Sequence, residues 1–278
     1  MDFRYCLNTS TIKGQGLNLQ DEIEITAKAG YDAIEPWISE LDDYIKDGGS
    51  YDDLKRQFSD AGLTVENLIG FFTWAVDDPA DRQAGFDEAK RNLEQAAAIG
   101  CKKLAAAPMG LVDVESIDYI KVAERYHEML ELGKQYDVIP VLEFWGVSKS
   151  LGRMGEALYI AAESGHPDAC ILADVYHIYK KGTPHKSIRM LSGDKLGLVH
   201  INDYPADPPI ETITDADRIY PGDGIAPMTE FLRDLDAIGY DGALSLELFN
   251  ESYWAQDALA VATTGLEKIK ECVNKAFA

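Results

Sequence analysis

Apolar residues in this chain gather in eight short runs, separated by longer stretches in which they recur every three or four positions. The runs are FRYCLN (3–8), DAIEPW (32–37), TVENLIGF (64–71), KKLAAAP (102–108), VIPVLEFW (138–145), ACILADV (169–175), LGLVHIN (196–202) and GALSLELF (242–249). Runs of this length and composition predict strands. Between them, DEIEITAKAGY sets Ile23, Ala27 and Gly30 at i, i+4 and i+7, a helical spacing that ends on glycine. DEAKRNLEQAAAIG closes the same way, with Ile99 followed by Gly100 as the C-terminal stop. YIKVAERYHEMLELGKQY and MTEFLRDLDAIGY continue the alternation, and a last helix is expected from about Ala255 to Lys275.

Eight strand–helix units in 278 residues predict a closed parallel (β/α)8 barrel, a TIM barrel, occupying 1–278 as a single domain. An open doubly wound sheet shares the alternation. It would gain from a GxGxxG turn after the first strand, and NTSTIKGQG does not match. The longest irregular stretch, Tyr204 to Ile225, is rich in Pro, Asp and Gly and reads as a functional loop.

Charged residues stand inside these apolar runs. VLEFW surrounds Glu143 and LSLELF surrounds Glu247. A carboxylate is costly to bury unless it is paired or holds a metal. In a parallel barrel the active site lies where the strands end. The polar residues at those ends are Glu35, Glu143, Asp174, His200 and Glu247, with Asn8 after the first strand and Asn202 and Asp203 after His200. Glu143, Asp174, His200 and Glu247 come from strands five to eight and would point at one volume. Three carboxylates there would repel one another. A divalent cation resolves this, and oxygen ligands with one imidazole suit Mn²⁺, Mg²⁺, Zn²⁺ or Co²⁺.

Each of these residues also has a plainer role available. A strand-end glutamate is more often an N-cap partner or half of an ion pair, a strand histidine a satisfied core group, and Asp174 a helix cap. Few Lys or Arg residues lie near enough in sequence to neutralise three buried acids. His177 and Arg218 lie in the loops after strands six and seven and can reach the same pocket. Arg218 could instead pair with Asp215 or Asp217. Phe72, Trp74 and Trp145 are candidates for the pocket wall, or for core packing.

Composition narrows the classes. A formal charge of −22 disfavours phosphate backbones and anionic membranes as partners. No signal peptide and no run of about 18 apolar residues is visible. Cys6, Cys101, Cys170 and Cys272 are scattered without a CxxC pair, which fits a reduced cytoplasm with thiols as small core residues.

The motifs LEFWG, LADVYHIYKKG, VHINDYP, DRIYPGDG and LSLELFN resemble those of the xylose isomerase-like TIM-barrel superfamily of sugar isomerases and epimerases, over essentially the whole chain. The resemblance implies Glu143, Asp174, His200 and Glu247 as ligands of one divalent ion, Mn²⁺ or Zn²⁺ first. It implies His177 and Arg218 on the substrate oxygens, with Trp145 beside them, and homo-oligomerisation by analogy. The expected substrate is an unphosphorylated polyol ketone, an inosose or a ketose. Its carbonyl would be polarised by the ion while Glu143 and Glu247 move a proton through an enediolate. Isomerisation follows from the resemblance alone; ketose 3-epimerisation and hydroxypyruvate-type isomerisation use the same site. Two rivals of other classes are an apurinic-site endonuclease, which needs a multi-zinc cluster and a basic face, and a non-catalytic sugar-binding barrel.

Overall fold

All eight predicted strands form, in a computed structural model that describes residues 3–278. The first half of the chain runs β1 (Arg4–Asn8), α1 (Leu19–Ala29), β2 (Ala33–Glu35), α2 (Ile38–Lys46), α3 (Tyr51–Asp60), β3 (Thr64–Val65), α4 (Pro79–Ile99) and β4 (Lys103–Ala106). The second half runs α5 (Tyr119–Lys134), β5 (Ile139–Glu143), α6 (Met154–Glu163), β6 (Ile171–Asp174), α7 (Val175–Lys180), β7 (Leu196–Ile201), α8 (Met228–Ala237), β8 (Ala243–Leu246), α9 (Glu251–Trp254) and α10 (Ala258–Phe277).

Every strand pairing is parallel, in the order β3-β2-β1-β8-β7-β6-β5-β4. The ring closes through a parallel bridge between Leu68 and Leu104. There the Leu68 amide donates to the Lys103 carbonyl at 3.2 Å, and the Ala105 amide donates to Leu68 at 2.9 Å. The open doubly wound alternative is thereby excluded. The run expected as a strand over 64–71 is shorter than its composition suggests. It leaves the ladder after Val65 and rejoins it only at the single bridges of Leu68 and Ile69.

Helix ends follow local chemistry. α1 and α4 stop at Gly30 and Gly100, whose φ angles of 92° and 84° suit glycine best. The helix expected from Ala255 is instead two helices. The Asn250 side chain caps α9, and the Asp257 side chain accepts the Ala260 amide at 2.9 Å to start α10 afresh. No helix among the described residues is long and apolar enough to cross a membrane.

The interior alternation places the site. Successive strand residues face opposite sides of the sheet, so positions two apart share the barrel interior. Cys6, Ala33, Val141, Leu172, Leu198 and Ala243 form a buried apolar layer there. Two residues further along their strands stand Asn8, Glu35, Glu143, Asp174, His200 and Ser245, all buried, with Glu247 two beyond Ser245. The larger apolar core lies between strands and helices. All four cysteines are buried free thiols, as expected of small core residues. The barrel interior is thus an apolar plug capped by a polar layer at its C-terminal end.

Candidate active site

His200 is the centre of the polar layer. Its Nε2 lies 3.0 and 3.1 Å from the two carboxylate oxygens of Glu35. Glu35 also accepts from Asn67 Nδ2 at 2.7 Å, Asn8 Nδ2 at 3.0 Å and Ser245 Oγ at 2.6 Å. Burial opposes ionisation of Glu35, yet the His200 charge and these donors hold its pKa below the usual carboxylate value. An ionised carboxylate only accepts, so Nε2 carries the proton and donates it. Nδ1, on the other side of the ring, then faces the carboxylates of Glu247 and Asp174. It lies 3.1 Å from Glu247 Oε2 and 3.5 Å from Asp174 Oδ2, buried and without a hydrogen-bond partner.

Ligand atoms of Asp174, His200 and Glu247 all lie within 4.8 Å of one another. An orphaned ring nitrogen beside two carboxylates, its far nitrogen held by a third, fits a divalent cation. Asp174 also serves as the cap foreseen from the sequence, its Oδ1 accepting the His177 amide at 3.0 Å at the start of α7. Glu143 stands outside this group of three, on the wall of the same cavity. Burial pushes its carboxyl up to about 8; His200 opposes the rise, and the Glu247 and Asp174 charges add to it.

Arg218 lies almost fully buried beside the cluster. Its Nη1 donates to Asp174 Oδ2 at 2.9 Å and Glu247 Oε2 at 2.7 Å, and its Nη2 donates to Asp215. The ion pair with Asp215 is thus present, but as one arm of a larger network. Burial alone would favour ionisation of neither Asp174 nor Arg218; together they keep the Asp174 carboxyl well below its ordinary range. The guanidinium is sandwiched by Tyr176, 4.6 Å from the ring centroid, and Phe249, at 5.2 Å. His177 Nε2 lies 3.4 Å from Arg218 Nη2, and its Nδ1 is buried without a partner. Burial lowers the His177 pKa, which favours the neutral ring.

His177, Asp215, Arg218 and Glu247 floor a cavity of about 430 Å³ whose walls include Glu143, Trp37, Phe71, Trp145 and Phe249. Trp145 therefore stands where the sequence reading put it. Phe72 and Trp74 do not line this cavity. Both are core residues, and the Trp74 indole donates to the Ala107 carbonyl at 2.8 Å. Their neighbour Phe71 faces the cavity instead. Sequence reasoning noted Glu35 and Asn8 without assigning them a role, and it missed Asp215 as a cavity residue, Trp37, Phe71 and Phe249. Glu35 was legible as the strand-end acid of β2, and its pairing with His200 was not.

The loop that carries Arg218 is pinned to β7. Asp203 and Ile219 exchange both backbone hydrogen bonds at 2.9 Å. The Asp203 carboxylate accepts the amides of Tyr204 at 2.8 Å, Gly222 and Gly224 at 3.0 Å, and Ala226 at 2.9 Å.

An inosose isomerase from Halalkalibacterium halodurans is 28% identical over 280 residues, spanning 99% of this chain and 98% of that protein. A fructoselysine 3-epimerase from Escherichia coli O157:H7 is 24% identical over 245 residues, spanning 84% of this chain and 86% of its own. A crystal structure of an IolI protein with a bound zinc atom superposes with a TM-score of 0.90 at 26% identity, covering 99% of this chain and all of the other. The model of the family described as xylose isomerase-like TIM barrel matches residues 23–272. With that match across the closed barrel and its polar layer, the chain belongs to the xylose isomerase-like TIM-barrel family.

Proposed function

We propose that the protein is a divalent-metal-dependent isomerase of an unphosphorylated polyol ketone, an inosose or a ketose. The observation that carries this reading is the buried, unpartnered Nδ1 of His200 between the Asp174 and Glu247 carboxylates, in a full-length relative of inosose isomerases. Asp174, His200 and Glu247 would hold the ion, with Glu143 joining from the cavity wall. When bound, such an ion supplies Lewis-acid polarisation of a carbonyl.

The chain's own groups do the rest. Glu143 is engaged by neither Arg218 nor Asn8, whereas Glu247 is held by both. Glu143 is therefore the carboxylate placed to take the proton from the carbon beside the ketone. Glu247, three strands away on the other side of the floor, is placed to return one. Arg218 and neutral His177 donate to or orient the oxygens on which charge develops. The aromatic wall limits access of water to the carbanionic carbon.

Returning the proton to the neighbouring carbon gives isomerisation, and returning it to the same carbon gives epimerisation. The similarity to a fructoselysine 3-epimerase keeps the second outcome as the alternative. Metal analysis of the purified protein and incubation of 2-keto-myo-inositol and ketohexoses in D₂O with Mn²⁺ test the proposal. Deuterium at the carbon next to the ketone is the expected result. Absence of exchange with every polyol ketone, in metal-loaded protein, would overturn it. Tight binding of abasic DNA at physiological salt would revive the endonuclease reading, which the charge of −22 opposes.

A further inference from the structure

Asn8, the last residue of β1, comes from the strand that lies between β2 and β8 in the ring. It is fully buried, and its carboxamide uses every hydrogen-bonding position it has. Nδ2 donates to Glu35 Oε2 at 3.0 Å and to Glu247 Oε1 at 3.3 Å. Oδ1 accepts the Trp37 indole N–H and the Ser10 amide, each at 3.0 Å. Two carboxylates on one side and two N–H donors on the other leave a single orientation of the amide.

These contacts close a loop. Asn8 joins Glu35 to Glu247, and the His200 ring joins the same two acids again through Nε2 and Nδ1. Within the loop the two oxygens of Glu247 have different holders. Oε2 takes the Arg218 guanidinium at 2.7 Å and lies 3.1 Å from His200 Nδ1. Oε1 takes Asn8 Nδ2 and no other donor among the described residues. A carboxylate anchored at one oxygen can swing about that anchor, and a contact at the second oxygen fixes its plane. Glu143 stands outside the loop, and the side chain it engages is that of Trp145.

Resting on the function proposed above, we infer that Asn8 is a positioning residue for the second proton transfer: it holds the plane of the Glu247 carboxylate so that Oε1 reaches the substrate carbon. In the first transfer a C–H bond beside the ketone breaks. Its proton goes to Glu143 and its electron pair enters the enediolate. A proton from Glu247 Oε1 then forms the new C–H bond, on the neighbouring carbon or on the opposite face of the same one. Solvent takes the proton from Glu143 and restores that of Glu247. When Glu143 instead exchanges its proton with solvent and returns it to the carbon it came from, substrate is regenerated carrying solvent hydrogen. Asn8 therefore governs the partition between product and labelled substrate, for isomerisation and epimerisation alike, and leaves the labelling step to Glu143.

The test incubates Mn²⁺-saturated protein in D₂O with 2-keto-myo-inositol, or with the ketohexose that labels fastest. Deuterium in recovered substrate and product formed are measured in the same sample. Asn8→Ser and Asn8→Asp both keep a side-chain oxygen for the Ser10 amide and lose the Nδ2 donor. Each should lower the ratio of product to labelled substrate by about tenfold or more, the order of loss that a misplaced group brings, while labelling stays near the wild-type rate. Loss of product and labelling by the same factor, as weakened metal binding or general destabilisation would give, overturns the assignment and leaves the function standing. So does a ratio that both variants leave unchanged, or wild-type protein that labels and forms no product. Wild-type protein that neither labels nor converts any polyol ketone overturns the function itself.

Discussion

Glu35 and His200, from β2 and β7, meet across the barrel with carboxylate oxygen and Nε2 3.0 Å apart. Both side chains are fully buried. The contact fixes which ring nitrogen carries the proton and turns the other toward Asp174 and Glu247. Outer carboxylates of this kind orient an imidazole ligand and raise its basicity. Glu35→Gln places an amide among four donors and leaves the ring free to turn. Metal affinity should fall by about 10–100-fold, measured by chelator competition, with the far-ultraviolet spectrum retained.

Arg218 is the countercharge of the floor. Arg218→Leu leaves Asp174 and Glu247 facing each other in a buried space. Removing one partner of such a network costs about 3–5 kcal/mol, to be read from urea unfolding in the presence of a chelator. Adding Mn²⁺ should then raise the melting temperature of the variant by more than that of the wild type. Equal rises would show that the cation does not take over the role of the guanidinium.

Glu143 links activity to stability. Its carboxyl, pushed up to about 8 by burial, holds its proton in the folded metal-free protein at pH values where the unfolded chain has lost it. The folded state therefore binds more protons, and this group's contribution to stability falls as pH rises from about 4.5 to 8. Glu143→Gln should flatten that slope in thermal melts recorded with chelator. The same variant should lose about 10²–10⁴-fold in exchange rate, the usual worth of a positioned general base.

The His200 environment gives a second pH dependence. Burial would lower its pKa, but the Glu247 and Glu35 carboxylates hold it well above the ordinary value. A cation must therefore compete with a proton at Nδ1. Metal affinity should rise with pH, and calorimetry in buffers of different ionisation enthalpy should show proton release on binding.

Asp203 tests how firmly Arg218 must be placed. Asp203→Ala removes the acceptor of four amides and should cost about 1–3 kcal/mol. It should also lower kcat by up to about 10²-fold, the scale of a misplacement near 1 Å. Asp203→Asn keeps an acceptor oxygen and should recover part of the rate, which separates positioning from general destabilisation.

The alternation of apolar runs and helical stretches specified eight βα units, and the acids inside those runs marked the open end of the barrel. That much is local, because a period of two or 3.6 and a strand-end carboxylate can be read without knowing what lies opposite. Asp174, His200 and Glu247 were legible for this reason, and their meeting within 4.8 Å needed only the closure of the ring. Other features depended on distances across the barrel. Glu35 turns His200 from 165 residues away, and Arg218 inserts between acids of β6 and β8. Phe71 rather than Phe72 faces the cavity because the chain from Asn67 onward is irregular, so no alternation dictates the side. Helix breaks and loop aromatics are set by single caps and by packing against distant elements, and these only the tertiary structure decided.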